Sequence, residues 1–310
     1  MTNTYSPAHD YFPLAEAAVP AAPKVRYPSP PPALRWLRLQ FKVLGAIAPE
    51  LAFRLQWKLF CTPRRLPRKS WETSALASAR RRTLSTETGR VQVFEWGPAE
   101  APAVVLVHGW EHRASFWHAW VQPLVAAGYR AVALDGPAHG DSDGRMANLV
   151  TFGAAVQAVL DTSGPVEAVV AHSFGAAVVA GLPVRPPQPA QRLRLVLLSA
   201  PVSPREVARR FAELLRLPSA PTVERFARHI KEYTGREADT FAIPAAGPQL
   251  GAQKVLLLHD EHDAIVPFGE GQQIAGAWPG AELRPTRGLG HNRILRDPQV
   301  VAEAVAFIVG

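Results

Sequence analysis

The chain predicts an α/β fold, a mostly parallel sheet with helices on both faces, and three observations carry the prediction. Five short apolar runs, at 103–107, 131–134, 166–171, 193–198 and 254–258, have the length and unbroken hydrophobicity of strands buried on both faces. Helix-length segments at 116–127, 149–160 and 176–182 alternate with them, the order that builds parallel sheets. With 47% hydrophobic and 19% charged residues, the composition supports a core and excludes a disordered, collagenous or coiled-coil chain. The length of 310 residues suits one large domain or two modest ones.

From the N-terminus, residues 1–32 hold eight prolines and few large apolar side chains, which predicts an extended or disordered lead. Residues 33–80 then read as a basic amphipathic helical extension. Arg35, Arg38 and Lys42 fall on one helical face and Leu34, Leu37, Phe41, Leu44 and Ile47 on the other, until Pro49 breaks the helix. A second helix begins near Glu50, with Glu50, Arg54 and Lys58 as a solvated stripe beside Leu51, Leu55, Leu59 and Phe60. These helices either pack on the body or make peripheral membrane contact through residues 33–60. The α/β domain occupies 81–310, opening with a hairpin of 82–85 and 91–96. Between 199 and 254 the strand rhythm lapses, and helical patterns at 205–216 and 222–233 predict a small helical lid at about 201–250, over the carboxyl ends of the strands.

Charge and cysteine narrow the setting. Residues 1–90 carry a net +10 and the remainder −2, so the basic balance is local and gives no reason to expect nucleic acid as a partner. One cysteine, Cys61, leaves no intrachain disulfide and no multi-cysteine zinc site. Residues 1–23 contain no Lys or Arg and four prolines, unlike a secretion signal, and a cytoplasmic location is expected.

The chemistry lies at the strand ends. Ala171-His172-Ser173-Phe174-Gly175 joins an apolar strand to a helix, and small residues two before and two after Ser173 are what a sharp turn needs to lift that side chain clear. Alone, this is also the pattern of an ordinary strand-to-helix turn with a capping serine. His108-Gly109-Trp110 follows another strand, and the backbone N–H groups of Trp110 and Phe174 together would form two donors for a developing oxyanion. Later come His259-Asp260-Glu261-His262-Asp263 and Gly288-Leu289-Gly290-His291, each after a strand, the second strand being a short one at 282–285. The run at 259–263 contains metal-ligand residue types but no second ligand group at a telling spacing, so no metal is expected.

Taken together, the His-Gly turn at 108–109, the Asp135-Gly136-Pro137-Ala138-His139-Gly140-Asp141-Ser142 loop, the elbow at 171–175, Asp263 within D-x-x-V-P and Gly290-His291 resemble an α/β-hydrolase over residues 81–310. The departure is Ala171, where the usual pattern has glycine. The resemblance implies Ser173 as nucleophile, His291 as general base and Asp263 as its orienting acid, with Asp260 as the competing acid. Serine rather than aspartate at the elbow argues against the dehalogenase and epoxide-hydrolase branches.

The expected activity is hydrolysis of carboxylic esters or thioesters, small-molecule substrates, through an acyl-enzyme that requires no cofactor. An acyltransferase on the same triad and a non-catalytic binding protein with a membrane-associating N-terminal segment stand as alternatives. Trp117, His172, Phe211 and Phe268 are expected to line the substrate pocket.

Overall fold

A computed structural model describes residues 32–181, 193–250, 252 and 254–310, so the expected lead at 1–32 lies almost wholly outside the described residues. Its centre is an eight-stranded sheet: β1 (Arg80–Thr86), β2 (Gly89–Trp96), β3 (Ala103–Val107), β4 (Arg130–Asp135), β5 (Val166–His172), β6 (Arg194–Leu198), β7 (Lys254–Asp260) and β8 (Ala281–Thr286). The strands lie in the order β1-β2-β4-β3-β5-β6-β7-β8. β2 runs antiparallel to β1 and β4, and every other neighbouring pair is parallel.

The apolar runs read from the sequence are strands because both of their faces are covered. Along β3, Val105 and Val107 face one core while Val104 and Leu106 face the other, and β6 and β7 alternate in the same way. The first core is closed by α5 (Leu149–Asp161), α6 (Phe174–Gly181) and α10 (Phe268–Ala277) through residues such as Phe152, Val178 and Ile274. The second is closed by α3 (Ser70–Leu76), α4 (His118–Ala126) and α12 (Pro298–Val309) through Leu76, Trp120 and Ile308. The helix expected over 116–127 begins as a 3-10 turn at Ala114–Trp117 and becomes α-helical only from His118.

Parallel register places the chemistry. Val107 pairs with Ala171, His172 with Leu198, and Leu198 with Leu258, so β3, β5, β6 and β7 end along one edge of the sheet. Two bonds beyond the strands, Ser173 N–H to the Leu198 carbonyl and Ser199 N–H to the Leu258 carbonyl, both 2.9 Å, carry that alignment into the following turns.

The interval after β6 is helical, with α7 (Pro204–Leu215) and α8 (Ser219–Thr234) followed by short turns that include α9 (Ile243–Ala246). Ser203 caps α7 by accepting from the Glu206 N–H at 3.2 Å, and Pro204 at the first turn suits that start. Arg216 in the left-handed conformation and Gly235 close α7 and α8.

The N-terminal extension forms α1 (Pro32–Ile47) and α2 (Pro49–Phe60), but its buried face differs from the expected one. In α2 the inward residues are Ala52, Phe53 and Gln56, whereas Leu51, Leu55 and Leu59 are exposed. In α1 Phe41 is buried and Ile47 is exposed. The reason is aromatic. Phe53 and Phe60 meet Phe226 of α8 edge-on and Trp57 meets it at a tilt, with centroids 5.0–5.6 Å away, and Phe60 also meets Phe211 of α7 at 5.1 Å. Arg38 donates to the Leu214 carbonyl at 2.8 and 2.9 Å, and Arg225 pairs with Glu50.

Candidate active site

Ser173 stands at φ +51°, a left-handed conformation, at the joint between β5 and α6. The turn is tight because α6 starts immediately and packs against the β3 loop. A Cβ at Gly175 would lie 2.5 Å from the Val107 carbonyl oxygen and 2.6 Å from that of His108, so only glycine fits. Ala171 is a wholly buried β5 residue and its methyl is accommodated in the first core.

Ser173, His291 and Asp263 form one hydrogen-bonded line. Ser173 Oγ is 2.9 Å from His291 Nε2, and His291 Nδ1 is 2.7 Å from Asp263 Oδ2. The other Asp263 oxygen accepts the N–H groups of Ile265 at 2.8 Å and Val266 at 2.9 Å. Burial would raise the Asp263 pKa, but the His291 hydrogen bond and charge and these backbone donors outweigh it and hold the carboxyl below its usual value. An ionised carboxylate only accepts, so the neutral imidazole that faces it would carry its proton on Nδ1, with Nε2 left to accept from the serine hydroxyl.

Asp260 has a different task. Its Oδ2 accepts from Thr286 Oγ1 and the Leu289 N–H, both at 2.9 Å, and its Oδ1 accepts from the His262 N–H at 3.0 Å. It therefore ties the end of β8 to the short helix α11 (Gly290–Arg293) that carries His291. His259 donates Nε2–H to the Val266 carbonyl at 2.9 Å and closes the loop from the other side. Glu261 in turn pairs with Arg287 at 2.8 Å, so the three acids of the 259–263 run are each engaged by protein groups.

The two loops expected to supply backbone donors meet beside the serine. The indoles and rings of Trp110 and Phe174 pack edge-on at 5.1 Å. Phe174 is the first residue of α6, where an N–H has no partner within the helix. The Gly109 carbonyl accepts from His108 Nδ1 at 2.7 Å and from the His112 N–H at 3.1 Å, fixing the turn that bears Trp110. A Cβ on Gly109 would come within 2.7 Å of His172 Nδ1 and 3.1 Å of Ser173 Cβ, so glycine allows this close approach.

Two expected pocket residues are corrected. Trp117 is fully buried in the second core against Trp120, because the 3-10 turn points it at the helix layer below the sheet. His172 is also fully buried; its Nε2–H donates to the His291 carbonyl at 2.9 Å, making it a strut beneath the histidine loop. Phe211 is half-buried in the seam with Phe60, and Phe268 lies half-buried at the start of α10, edge-on to His259 at 5.8 Å.

Sequence reasoning missed the support of the 109–116 loop. Buried Glu72 of α3 accepts from Ser115 Oγ at 2.7 Å and pairs with Arg113 at 3.2 Å, while Arg64 pairs with Glu111 at 2.6 Å. His112 stacks between Phe116 at 4.2 Å and His172 at 5.3 Å. Charged and polar side chains thus join the extension to the loop over separations of 43 and 47 residues.

A profile of the Alpha/beta hydrolase family matches residues 104–304, spanning β3 to α12. The chain belongs to that family. Among curated relatives, a non-heme chloroperoxidase of Burkholderia pyrrocinia is 33% identical over 126 residues, 38% of this chain and 45% of that protein. A second from Streptomyces lividans is 34% identical over 125 residues, 38% and 44%. The chain thus spans less than half the length of the curated relatives it matches. In fold it is similar to a hydrolase from Pseudomonas aeruginosa PA01, with a TM-score of 0.55 and 24% identity over 74% of this chain and 98% of that one. It is also similar to a thioesterase domain from the curacin biosynthetic pathway, with a TM-score of 0.52 and 19% identity over 75% and 99%.

Proposed function

We propose that this α/β hydrolase is a serine hydrolase that cleaves carboxylic esters or thioesters through an acyl-enzyme. The observation that carries the reading is the 2.9 Å contact between Ser173 Oγ and His291 Nε2, in line with the 2.7 Å contact between His291 Nδ1 and Asp263 Oδ2. Serine is a weak nucleophile near neutral pH, and a neighbouring base removes the proton as the oxygen attacks. Ser173 Oγ bonds to the acyl carbon while its proton passes to His291 Nε2. The carbonyl oxygen takes the negative charge toward the N–H groups of Trp110 and Phe174. His291 returns the proton to the departing alcohol or thiol, and then activates the water that frees Ser173. No cofactor enters this sequence. Structural neighbours named as a thioesterase domain and, from Exiguobacterium antarcticum, an esterase support the substrate class, as does the order Ser, Asp, His along the chain. The lone, buried cysteine fits a reducing, cytoplasmic setting.

Intact-mass measurement after treatment with a fluorophosphonate tests the reading. One covalent adduct is expected on the wild type and none on Ser173→Ala. An adduct of equal yield on both proteins removes Ser173 from the chemistry.

The two carboxylates separate in a second experiment. Asp263→Asn favours the wrong His291 tautomer, and kcat for an acyl ester is expected to fall about 10⁴-fold. Asp260→Asn loosens the loop without touching the imidazole, and a loss on the order of 10-fold is expected. Steady-state kinetics of the two variants would reverse the assignment if Asp260→Asn were the more damaged.

A further inference from the structure

We infer that the α1–α2 hairpin is a docking face for an anionic lipid surface. The inference is independent of the proposed hydrolysis. On α1, Trp36, Leu39, Val43 and Ile47 form a stripe at helical spacing on the outer side, with Trp36 66% and Ile47 74% exposed. On α2, Leu51, Leu55 and Leu59 repeat every four residues and are exposed as well. The two stripes are continuous, since Trp36, Leu39, Val43 and Ile47 share one open groove with Leu55 and Leu59. The opposite faces of these helices are already committed to the body through Phe41, Phe53, Trp57 and Phe60. The outer stripe is therefore additional to the core, and a contiguous apolar face of this size marks an interaction surface.

Charge identifies the occupant. Residues 32–69 hold nine Lys and Arg and a single acid, Glu50, which pairs with Arg225. Arg35, Lys42, Arg54 and Lys58 are exposed around the stripe. A second cleft, adjoining it at Leu39, is lined by Arg35, Arg38, Lys42, Arg216 and Arg225 with no carboxylate in its lining. An apolar stripe bordered by cations matches acyl chains bordered by lipid phosphates, with long basic side chains reaching up to the headgroups. Two copies of this face would oppose like charges, which disfavours self-association. Among the described residues no helix is long and apolar enough to cross a membrane, so the hairpin would lie along the surface.

Co-sedimentation of the full chain with sucrose-loaded vesicles tests this, using phosphatidylcholine alone and phosphatidylcholine with about 30% phosphatidylglycerol at low salt. Wild type is expected to bind the anionic vesicles at least about 10-fold more tightly than the neutral ones. The variant Lys42→Gln/Arg54→Gln/Lys58→Gln should lose roughly 100-fold in partition, about 5-fold for each cation removed. The variant Trp36→Ser/Leu39→Ser/Val43→Ser should lose at least as much, because the buried apolar area is gone. Circular dichroism melting of each variant confirms that it is folded. Absence of wild-type binding to anionic vesicles, or wild-type binding by the folded apolar variant, overturns the inference. So does a dimer in light scattering that the apolar variant abolishes while vesicles go unbound, which assigns the face to a second copy of the chain.

Discussion

Ser173→Ala is expected to lower kcat for ester hydrolysis by about 10⁴- to 10⁶-fold while the protein melts within a few degrees of wild type. The size of the loss follows from the proposed mechanism, in which the Ser173 oxygen forms the acyl bond and its removal leaves His291 and the backbone donors to act on water alone. The fold should survive because the change deletes one oxygen at the surface of the turn. Alanine meets the φ of +51° at much the same cost as serine, and the one group that loses its partner is His291 Nε2. The control is Gly175→Ala, where the added methyl faces two carbonyl oxygens at 2.5 and 2.6 Å and α6 must shift. That variant should lose both activity and stability, whereas Ser173→Ala loses activity alone. Residual hydrolysis by Ser173→Ala within 10-fold of wild type would exclude the proposed nucleophile.

The second large effect is acid lability. Four histidines beneath and beside the site are held neutral by burial. His112 and His139 are pushed down to about 4, and His108 and His172 lie well below their ordinary value. The hydrogen bonds explain part of it. His108 Nε2 accepts the Gly136 N–H at 2.9 Å and its Nδ1–H donates to Gly109, so a second ring proton would point one donor at another. His172 Nδ1 faces Gly109, where no acceptor stands. Because the folded pKa values are depressed, the unfolded chain binds these protons first as pH falls below about 6.5. Stability present at neutral pH is then lost toward pH 4, at about 1.4 kcal/mol per pH unit for each histidine.

Asp135 opposes this. Burial raises its carboxyl to about 6 despite backbone donors from Ala114 and Asp141 and the nearby Arg68, so between about 4 and 6 the folded state holds the extra proton. Its single contribution offsets one histidine of four. Three depressed histidines remain uncompensated, so stability is expected to fall steeply as the pH drops from 6 toward 4. Urea titrations at pH 7, 6 and 5 should show the midpoint falling steeply, and a flat profile would contradict the neutral assignment. His139→Asn should reduce the slope by about one third.

How much of this was legible in the sequence depends on how local each cause is. The strands were legible because burial on both faces leaves runs such as Val104-Val105-Leu106-Val107 with no polar residue to blur them. Ser173, Asp263 and His291 were legible because each follows a strand in a short motif, and parallel register then brings their loops together. The helix at 298–309 was missed although Asp297 caps it and Pro298 opens it, since its mostly apolar residues blur the helical period. Trp117 and the buried Glu72–Arg113 pair were not legible, because their surroundings come from segments distant in sequence. The packing face of α2 failed for a related reason: leucines every four residues mark a stripe, but only the aromatic residues of α7 and α8 decide which stripe turns inward.

The clasp between the extension and the helical insertion also bears on how the chain is made. Arg38 and the Leu214 carbonyl it binds are 176 residues apart. At 5 to 20 residues per second, the ribosome takes roughly 10 to 35 seconds to deliver the second partner after the first. Throughout that interval Phe53, Trp57 and Phe60 have no Phe226 to cover them, and the outer leucine stripe is bare as well. The hairpin is thus the earliest described element to be synthesised and among the last to be enclosed, which makes it the stretch where a nascent-chain chaperone has the longest access.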